Sequence, residues 1–503
     1  MRGLRSFLPV GLTFLTLAAY AWLFGGARAT VLRPVMPWIW ALTLEGLLFF
    51  PQGERWENEL DARDRTWRRL SRSSLLYLVF AFGVVLLFPL FNAGLCPRCD
   101  RALIAAGASA APPVPYAPYC IRPLEHWGVV LWFLPALTAV LAARYALVRR
   151  GRRLLVEMLV WNGALLALFG FLEQWTGAQA PWWRETAAPV HFFSTFGYPN
   201  MAGSYFTFLF AVSCGLWRQR VADALAEREG GTVRRRSSMA ARTPAWIRTH
   251  YPLAAALLNF LAALESLSRA SALLVSALAA FWFLYALLGA FTRRRSANRM
   301  RMAAVELVAL AGLALATCVF APKGLRKELA TVSDVGVADR ISGKNQPHSA
   351  AAWAIFRDHP LFGAGGWGYM HLCTDKMTPA ERNSLPSTGG ANVHNDYLQF
   401  LCEHGAVGFG LLLAIVLALT APTFGRWGRL VRMTRFSRVA AGIPRPRALY
   451  VLPPPVLGIL LGALAVAVHA FGDCPLRSPA VLSAVLCALA CADGFMAKDE
   501  DEE

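Results

Sequence analysis

Apolar runs alternate with short polar or basic segments along the whole chain. They fall at roughly 6–25, 31–51, 74–94, 127–147, 154–174, 201–217, 251–267, 270–291, 302–320, 397–420, 450–470 and 478–495. Runs of about twenty such residues match the hydrocarbon thickness that one helix must cross. The pattern predicts an all-α integral membrane protein of about twelve transmembrane helices. The longest non-apolar stretch between spans, 321–393, separates helices 9 and 10. The expected division is therefore 1–320 for helices 1–9, 321–393 for a long loop, 394–495 for helices 10–12, and 496–503 for an acidic tail, KDEDEE. Residues 1–29 end in Ala27-Arg28-Ala29, the form of a signal-peptide cleavage site. The apolar run is long for a signal peptide, and an uncleaved first span is the preferred reading.

Composition agrees with the pattern. Of 503 residues 56% are hydrophobic, above the roughly 45–50% usual in soluble domains, and mean hydropathy is +0.42. The net charge of +19 comes from arginine clusters between the apolar runs, which orient a membrane protein. Nucleic-acid binding is not expected. With an even number of spans both ends share a side, and segments on that side hold 33 of the 50 Lys and Arg. Positive charge marks the cytoplasmic side, so both termini are expected in the cytoplasm and 321–393 outside. The basic segments 52–73 and 421–449 read as orientation signals with attraction to anionic lipid. Trp182 and Trp183 read as interface anchors. Cys96 and Cys99 form a CxxC without a second pair, so a zinc ribbon lacks half its ligands. A disulfide from Cys120 to Cys96 or Cys99 is the blander expectation in an oxidising compartment.

Candidate chemistry gathers at the outer face. In His394-Asn395-Asp-Tyr-Leu-Gln-Phe-Leu-Cys-Glu-His-Gly405-Ala-Val-Gly408 a polar pair opens an apolar helix. It reads either as a catalytic group at the helix mouth or as a simple helix cap, since Asn is a good N-cap. Arg269 lies between two spans with almost no loop, where charge is costly, unless it reaches the interface. Arg340 and Lys344 lie in a polar run of the long loop. Asp358 to Gly368 resembles a phosphate loop but lacks the Lys-Ser/Thr ending. A tight turn that lets backbone approach the membrane surface fits it better. His469 and Asp473 sit beyond span eleven. No tight HxxxH or DxD pair appears, so a metal site is weakly supported. Cations suit a diphosphate, and a neutral His suits proton abstraction from a hydroxyl.

These residues carry a resemblance. His394-Asn395, nine residues, Gly405, two residues and Gly408 resemble the hallmark of the O-antigen ligase/polymerase superfamily of bacterial envelope enzymes. The segment from Asp358 through Gly363 and Gly365 resembles that family's hPlfGvG piece. Thr195 to Ala202, with Asn200, resembles its fgNPN turn, and Ser268-Arg269 its SR at an outer helix end. His469 to Pro479, with Asp473, resembles its H…D.PL..P piece. The resemblance implies a GT-C-like inner-membrane glycosyltransferase. Such an enzyme takes glycan from undecaprenyl diphosphate and delivers it at the periplasmic face to lipid A-core, or to another glycan or protein acceptor. It also implies inversion at the anomeric centre and neither metal nor other cofactor. His394 would act as base or orient the acceptor, and Arg269 with Arg340 or Lys344 would hold the diphosphate. Asn395, Asn200, Gly363, Gly365, Gly405, Gly408 and Asp473 would support the site. One departure stands out: family members often have Arg, three residues, then Trp ahead of the hPlfG piece, whereas Ser349 precedes Trp353 here. O-antigen ligase is the favoured activity. A repeat-unit polymerase or protein O-oligosaccharyltransferase is the alternative, and a lipid-linked glycan transporter the reading from a different class.

Overall fold

The computed structural model describes residues 2–54, 57–96, 100–107, 109, 111–186, 191–228, 244–292, 346–383, 392–441 and 452–496, with positions 304, 308 and 312. Among them the architecture is helical, and backbone pairing of strand type is limited to the isolated bridges Ala93–Cys120 and Phe193–Phe196. Every predicted span except 302–320, of which only positions 304, 308 and 312 are described, is occupied by a helix. By length and hydropathy, four described helices can cross a membrane: Pro123–Ala146, Arg149–Trp175, Arg269–Leu288 and Asp396–Arg429. A fifth follows if Glu59–Ser71 and Ser74–Leu90, bent by 66°, act as one. Phe7–Trp22, Pro454–His469 and Pro479–Phe495 are apolar but shorter. The apolar helices make this a helical multi-pass membrane protein.

The chain forms two compact units, each built from separated segments. The first comprises Met1–Gly151, Thr331–Ala421 and Ala467–Ala490. Its centre is helix Pro123–Leu141, packed by Arg2–Trp22, Ala29–Phe49 and Ser74–Leu87. Polar groups in this packing find partners inside it: Tyr20 donates to the Leu131 carbonyl at 2.5 Å and Trp40 to Thr138 at 2.8 Å. Lipid offers no such partners, so internal satisfaction is required. The described part of the long loop also folds. Helices Gln346–Asp358 and Gly368–Leu372 bury Ala351, Ile355, Tyr369 and Cys373 against Val393 and Cys402.

Helix Asp396–Ala441 starts under an N-cap, with the Asn395 side chain accepting from the Leu398 N–H at 3.0 Å. It is broken at Gly405, where φ is 66° and ψ −176°. The break frees backbone groups on both sides, and the segment 360–365 crosses it and takes them up. Ala364 and Gly365 donate to the carbonyls of Cys402 and Glu403 at 2.9 and 2.8 Å. The Ala406 and Val407 N–H groups donate to the carbonyls of Pro360 and Leu361 at 2.9 and 3.0 Å. The two backbones pass so close that a Cβ on Gly405 would strike the Leu361 carbonyl. One on Gly363, itself at φ 69°, would strike Glu403 backbone. The glycine-rich segment therefore does let backbone approach backbone, but its partner is the broken helix and not a membrane surface. The reason is that only the break exposes unpaired groups for it to meet.

A second suture holds the turn after Pro454–His469 to the same helix. The Asp396 N–H donates to the Ala470 carbonyl at 2.9 Å, and the Asp396 carboxylate accepts from the Leu476 N–H at 2.7 Å. Tyr397 donates to the Ala467 carbonyl at 2.7 Å. Arg477 pairs with buried Glu403 at 3.0 Å and lies over the Trp367 ring at 4.3 Å. The guanidinium is thus neutralised on one side and stacked on the other.

The second unit comprises Arg152–Ala330, Pro422–Val466 and Cys491–Glu503. Pro199–Arg228 packs against Ala245–Glu265 and Arg269–Thr292. Small residues permit the close approach, as where Gly203 faces Ser271 and Gly458 faces the Ala211 carbonyl. Arg152 donates from Nη1 to both carboxylate oxygens of Asp493, at 2.8 and 2.9 Å, tying the turn at Ala492–Phe495 to the start of helix Arg149–Trp175.

The disulfide expectation is corrected for Cys120. Its thiol is buried and donates to the Pro89 carbonyl at 3.0 Å instead of bonding Cys96. Cys99 lies outside the described residues.

Two stability outcomes follow from the break and the cap. Gly405→Ala and Gly363→Ala should each lower the thermal midpoint of detergent-purified protein, by the equivalent of about 2–4 kcal/mol, combining left-handed backbone strain with overpacking. Gly410→Ala, on the same helix with open space around it, should not; equal midpoints for all three would contradict the docking described. Asn395→Ala should cost about 1 kcal/mol, and Asn395→Asp much less, read by the same thermal measurement.

Candidate active site at the helix entrance

His394 stands one residue ahead of the cap and does not share in capping. Its backbone is left-handed, φ 56°, an uncommon setting for a residue with a Cβ and one that occurs at functional sites. The reading of His394-Asn395 as a joint cap therefore divides: Asn395 caps, and His394 is left over. Its ring turns to the sutured turn, where Nδ1 lies 3.4 Å from Asp473 Oδ1. The His394 side chain is 37% exposed and that of Asp473 13%, so the pair has one open side. Burial alone would push the Asp473 carboxyl up. The hydrogen bond and charge of His394, with the Cys474 N–H donating at 2.7 Å, outweigh it and hold the group below its ordinary value. Asp473 is thus a carboxylate that can accept Nδ1–H and leave Nε2 as the atom with a free lone pair.

A second imidazole was not singled out by sequence. His348, at the start of helix Gln346–Asp358, lies with its ring centroid 6.2 Å from that of His394. Tyr369 shares a hydrogen bond with its Nδ1 at 2.8 Å. Burial, and then repulsion from His394, push its pKa below the ordinary histidine value, so it is held neutral. No spacing links His348 to His394; the nearest signal is that it sits beside Ser349, where the family pattern places an arginine. Glu403 and Arg477 were likewise visible in sequence only as polar residues near an apolar run. Cys474 completes the neighbourhood, its thiol donating to Asp473 Oδ1 at 3.3 Å. His394, Asp473 and Cys474 each offer one ligand atom, all within 4.8 Å of one another.

The expected site residues divide by unit. His394, Asn395 and Asp473 come together in the first unit as described. Gly363 and Gly405 lie there at the break. Gly365 packs on the backbone of Tyr119 and Cys120, and Gly408 packs on the His404 side chain. Gly366 donates to His126 Nδ1 at 2.8 Å while His126 Nε2 meets the Leu86 carbonyl at 2.7 Å, which pins this segment to the central helix. In the second unit Asn200 and the Arg269 turn come together. Ser268 donates to Asn200 Oδ1 at 2.5 Å and accepts from the Ser271 N–H at 3.3 Å. Leu267 is left-handed at φ 60°, and Arg269 opens its helix half-buried. Asn200 therefore shapes the turn that presents Arg269. Arg340 and Lys344 lie outside the described residues.

The arrangement is a histidine oriented by a buried carboxylate, open on one side, at the end of a membrane helix. It can take a proton from a hydroxyl. No curated protein matches the chain. Residues 254–413, which run from the helix before Arg269 through the broken helix, match the O-antigen ligase family, Wzy_C. The match at 254–413 agrees with the resemblance that the motifs carry to the O-antigen ligase/polymerase superfamily, whose members are enzymes of glycosyltransferase type.

Proposed function

We propose that the protein is an inner-membrane glycosyltransferase of twelve spans with both termini cytoplasmic. It moves glycan from undecaprenyl diphosphate to an acceptor hydroxyl at the periplasmic face, as an O-antigen ligase-like enzyme. The observation that carries this is the His394–Asp473 pair, which unites two motif pieces 79 residues apart at the mouth of a helix. Asp473 accepts Nδ1–H, so Nε2 takes the acceptor proton. The acceptor oxygen then attacks the anomeric carbon from the face opposite the diphosphate. The anomeric C–O bond breaks and its electron pair leaves with the polyprenyl diphosphate, inverting the centre. Arg269, with Arg340 or Lys344, holds the charge that develops on the leaving group. No metal is called for in this sequence of events.

The test is complementation of a deletion strain, with surface glycan resolved by gel. His394→Ala at wild-type protein level should abolish glycan transfer. Asp473→Asn should lower it by about 10²–10⁴-fold, the usual range for losing a base or its orienting partner. Loss of all attached glycan in the deletion strain marks a ligase, and retention of single repeats a polymerase. Full complementation by His394→Ala would sink the mechanism.

A further inference from the structure

The proposed reaction uses His394 and Asp473 but leaves Cys474 without a task. Its side chain is buried, between the carboxylate of Asp473 and the turn Pro475–Arg477. Sulfur, carboxylate oxygen and imidazole nitrogen together are a donor set for a borderline-soft cation. Mg²⁺ and Ca²⁺ favour oxygen alone. The separations also suit zinc. Ordinary Zn–N, Zn–O and Zn–S lengths at tetrahedral angles put nitrogen and oxygen ligands about 3.3 Å apart, and sulfur and oxygen ligands about 3.5 Å apart. His394 Nδ1 and Asp473 Oδ1 are 3.4 Å apart, and Cys474 Sγ and Asp473 Oδ1 are 3.3 Å apart. The remaining pair lies within 4.8 Å and closes to about 3.5 Å when bound. Three protein ligands with one side open is the usual form of an accessible zinc site.

We propose that His394, Asp473 and Cys474 form a binding site for zinc, and that zinc bound there switches the transfer reaction off. The blocking half rests on the role given to His394 above; the binding half does not. Binding replaces the thiol proton: Zn²⁺ and the Cys474 S–H give a zinc–thiolate bond and a proton released to solvent. Zinc also takes the Nδ1 lone pair, so the imidazole carries its proton on Nε2. That nitrogen then has no lone pair to receive the acceptor proton, and the carboxylate that oriented the ring is a metal ligand instead. Zinc is thus an inhibitor of this chain, not a participant in its chemistry. Cys474 supplies the sulfur that turns a His–Asp pair into a three-ligand site.

The test uses full-length protein in detergent and Co²⁺ as a spectroscopic stand-in for zinc. Wild type should bind one Co²⁺ with a sulfur-to-cobalt charge-transfer band and the intense visible bands of a tetrahedral ion, and Zn²⁺ should displace both. Cys474→Ser should lose the charge-transfer band, while Cys373→Ser, a buried cysteine of the loop, should keep it. His394→Ala, at a partly exposed position, serves as a second variant. It should keep the sulfur band with affinity about tenfold or more weaker. A wild type with no charge-transfer band, or an equal band in Cys474→Ser, overturns the site. In glycan transfer, Zn²⁺ should inhibit wild type, and Cys474→Ser should need about tenfold or more zinc for the same inhibition. If Co²⁺ binds as described and zinc leaves transfer untouched, the site stands and the switching role falls, together with His394 as the base.

Discussion

A backbone break in a membrane helix must be filled by backbone from elsewhere, and most of the candidate site follows from that requirement. At Gly405 the helix loses its own pairing, and an unpaired amide or carbonyl away from water costs several kcal/mol. The segment 360–365 repairs the loss with hydrogen bonds on both sides of the break. This single contact explains why two glycine-containing motifs, far apart in the chain, must occur together. Neither can tolerate a Cβ where the other passes. It also ties the folded part of the long loop, with its small core around Tyr369 and Cys373, to the helix that His394 precedes.

The site is the product of two such attachments. The glycine-rich segment fixes the loop side, and so brings His348 within one ring's reach of His394. Asp396, Tyr397 and the Glu403–Arg477 pair fix the turn that bears Asp473. Glu403 takes part in both, through its backbone carbonyl at the break and its carboxylate on Arg477. A buried ion pair adds little net stability, but removing one partner leaves an uncompensated charge. Here it specifies where the turn sits. The polar residues near the helix mouth therefore have distinct tasks: Asn395 caps, Asp396 anchors, Glu403 locks, and only His394 is left facing the open side. A strained left-handed residue held by so many neighbours is the arrangement expected where geometry serves chemistry.

The chemistry shared by ligases and polymerases also bounds what these residues can say. In the proposed reaction a ligase and a polymerase would draw on the same kind of donor, so the residues proposed to hold the diphosphate and accept the proton would serve either activity.

Much of this was legible in the sequence because some physical rules act locally. Apolar length predicts where helices form, and each predicted span among the described residues is helical. The good N-cap propensity of Asn correctly named Asn395. The motif pieces named His394, Asp473, the glycines and the Ser268–Arg269 turn by their resemblance to one family, and the family match at 254–413 takes in all of these but Asp473. What the chain order could not show was decided by contacts between distant segments. The glycines of 363–365 read as a turn toward the membrane because their partner, the break at Gly405, exists only in the folded chain. Cys120 chose the Pro89 carbonyl over another thiol because three-dimensional neighbours, not spacing, set a sulfur's partner. His348, Glu403 and Cys474 acquire meaning only once the loop and the last turn are docked, for a side chain's role depends on what lies within a few ångströms of it. Sequence determines which segments must be buried and which turns they can make. Tertiary structure alone determines which buried polar groups meet.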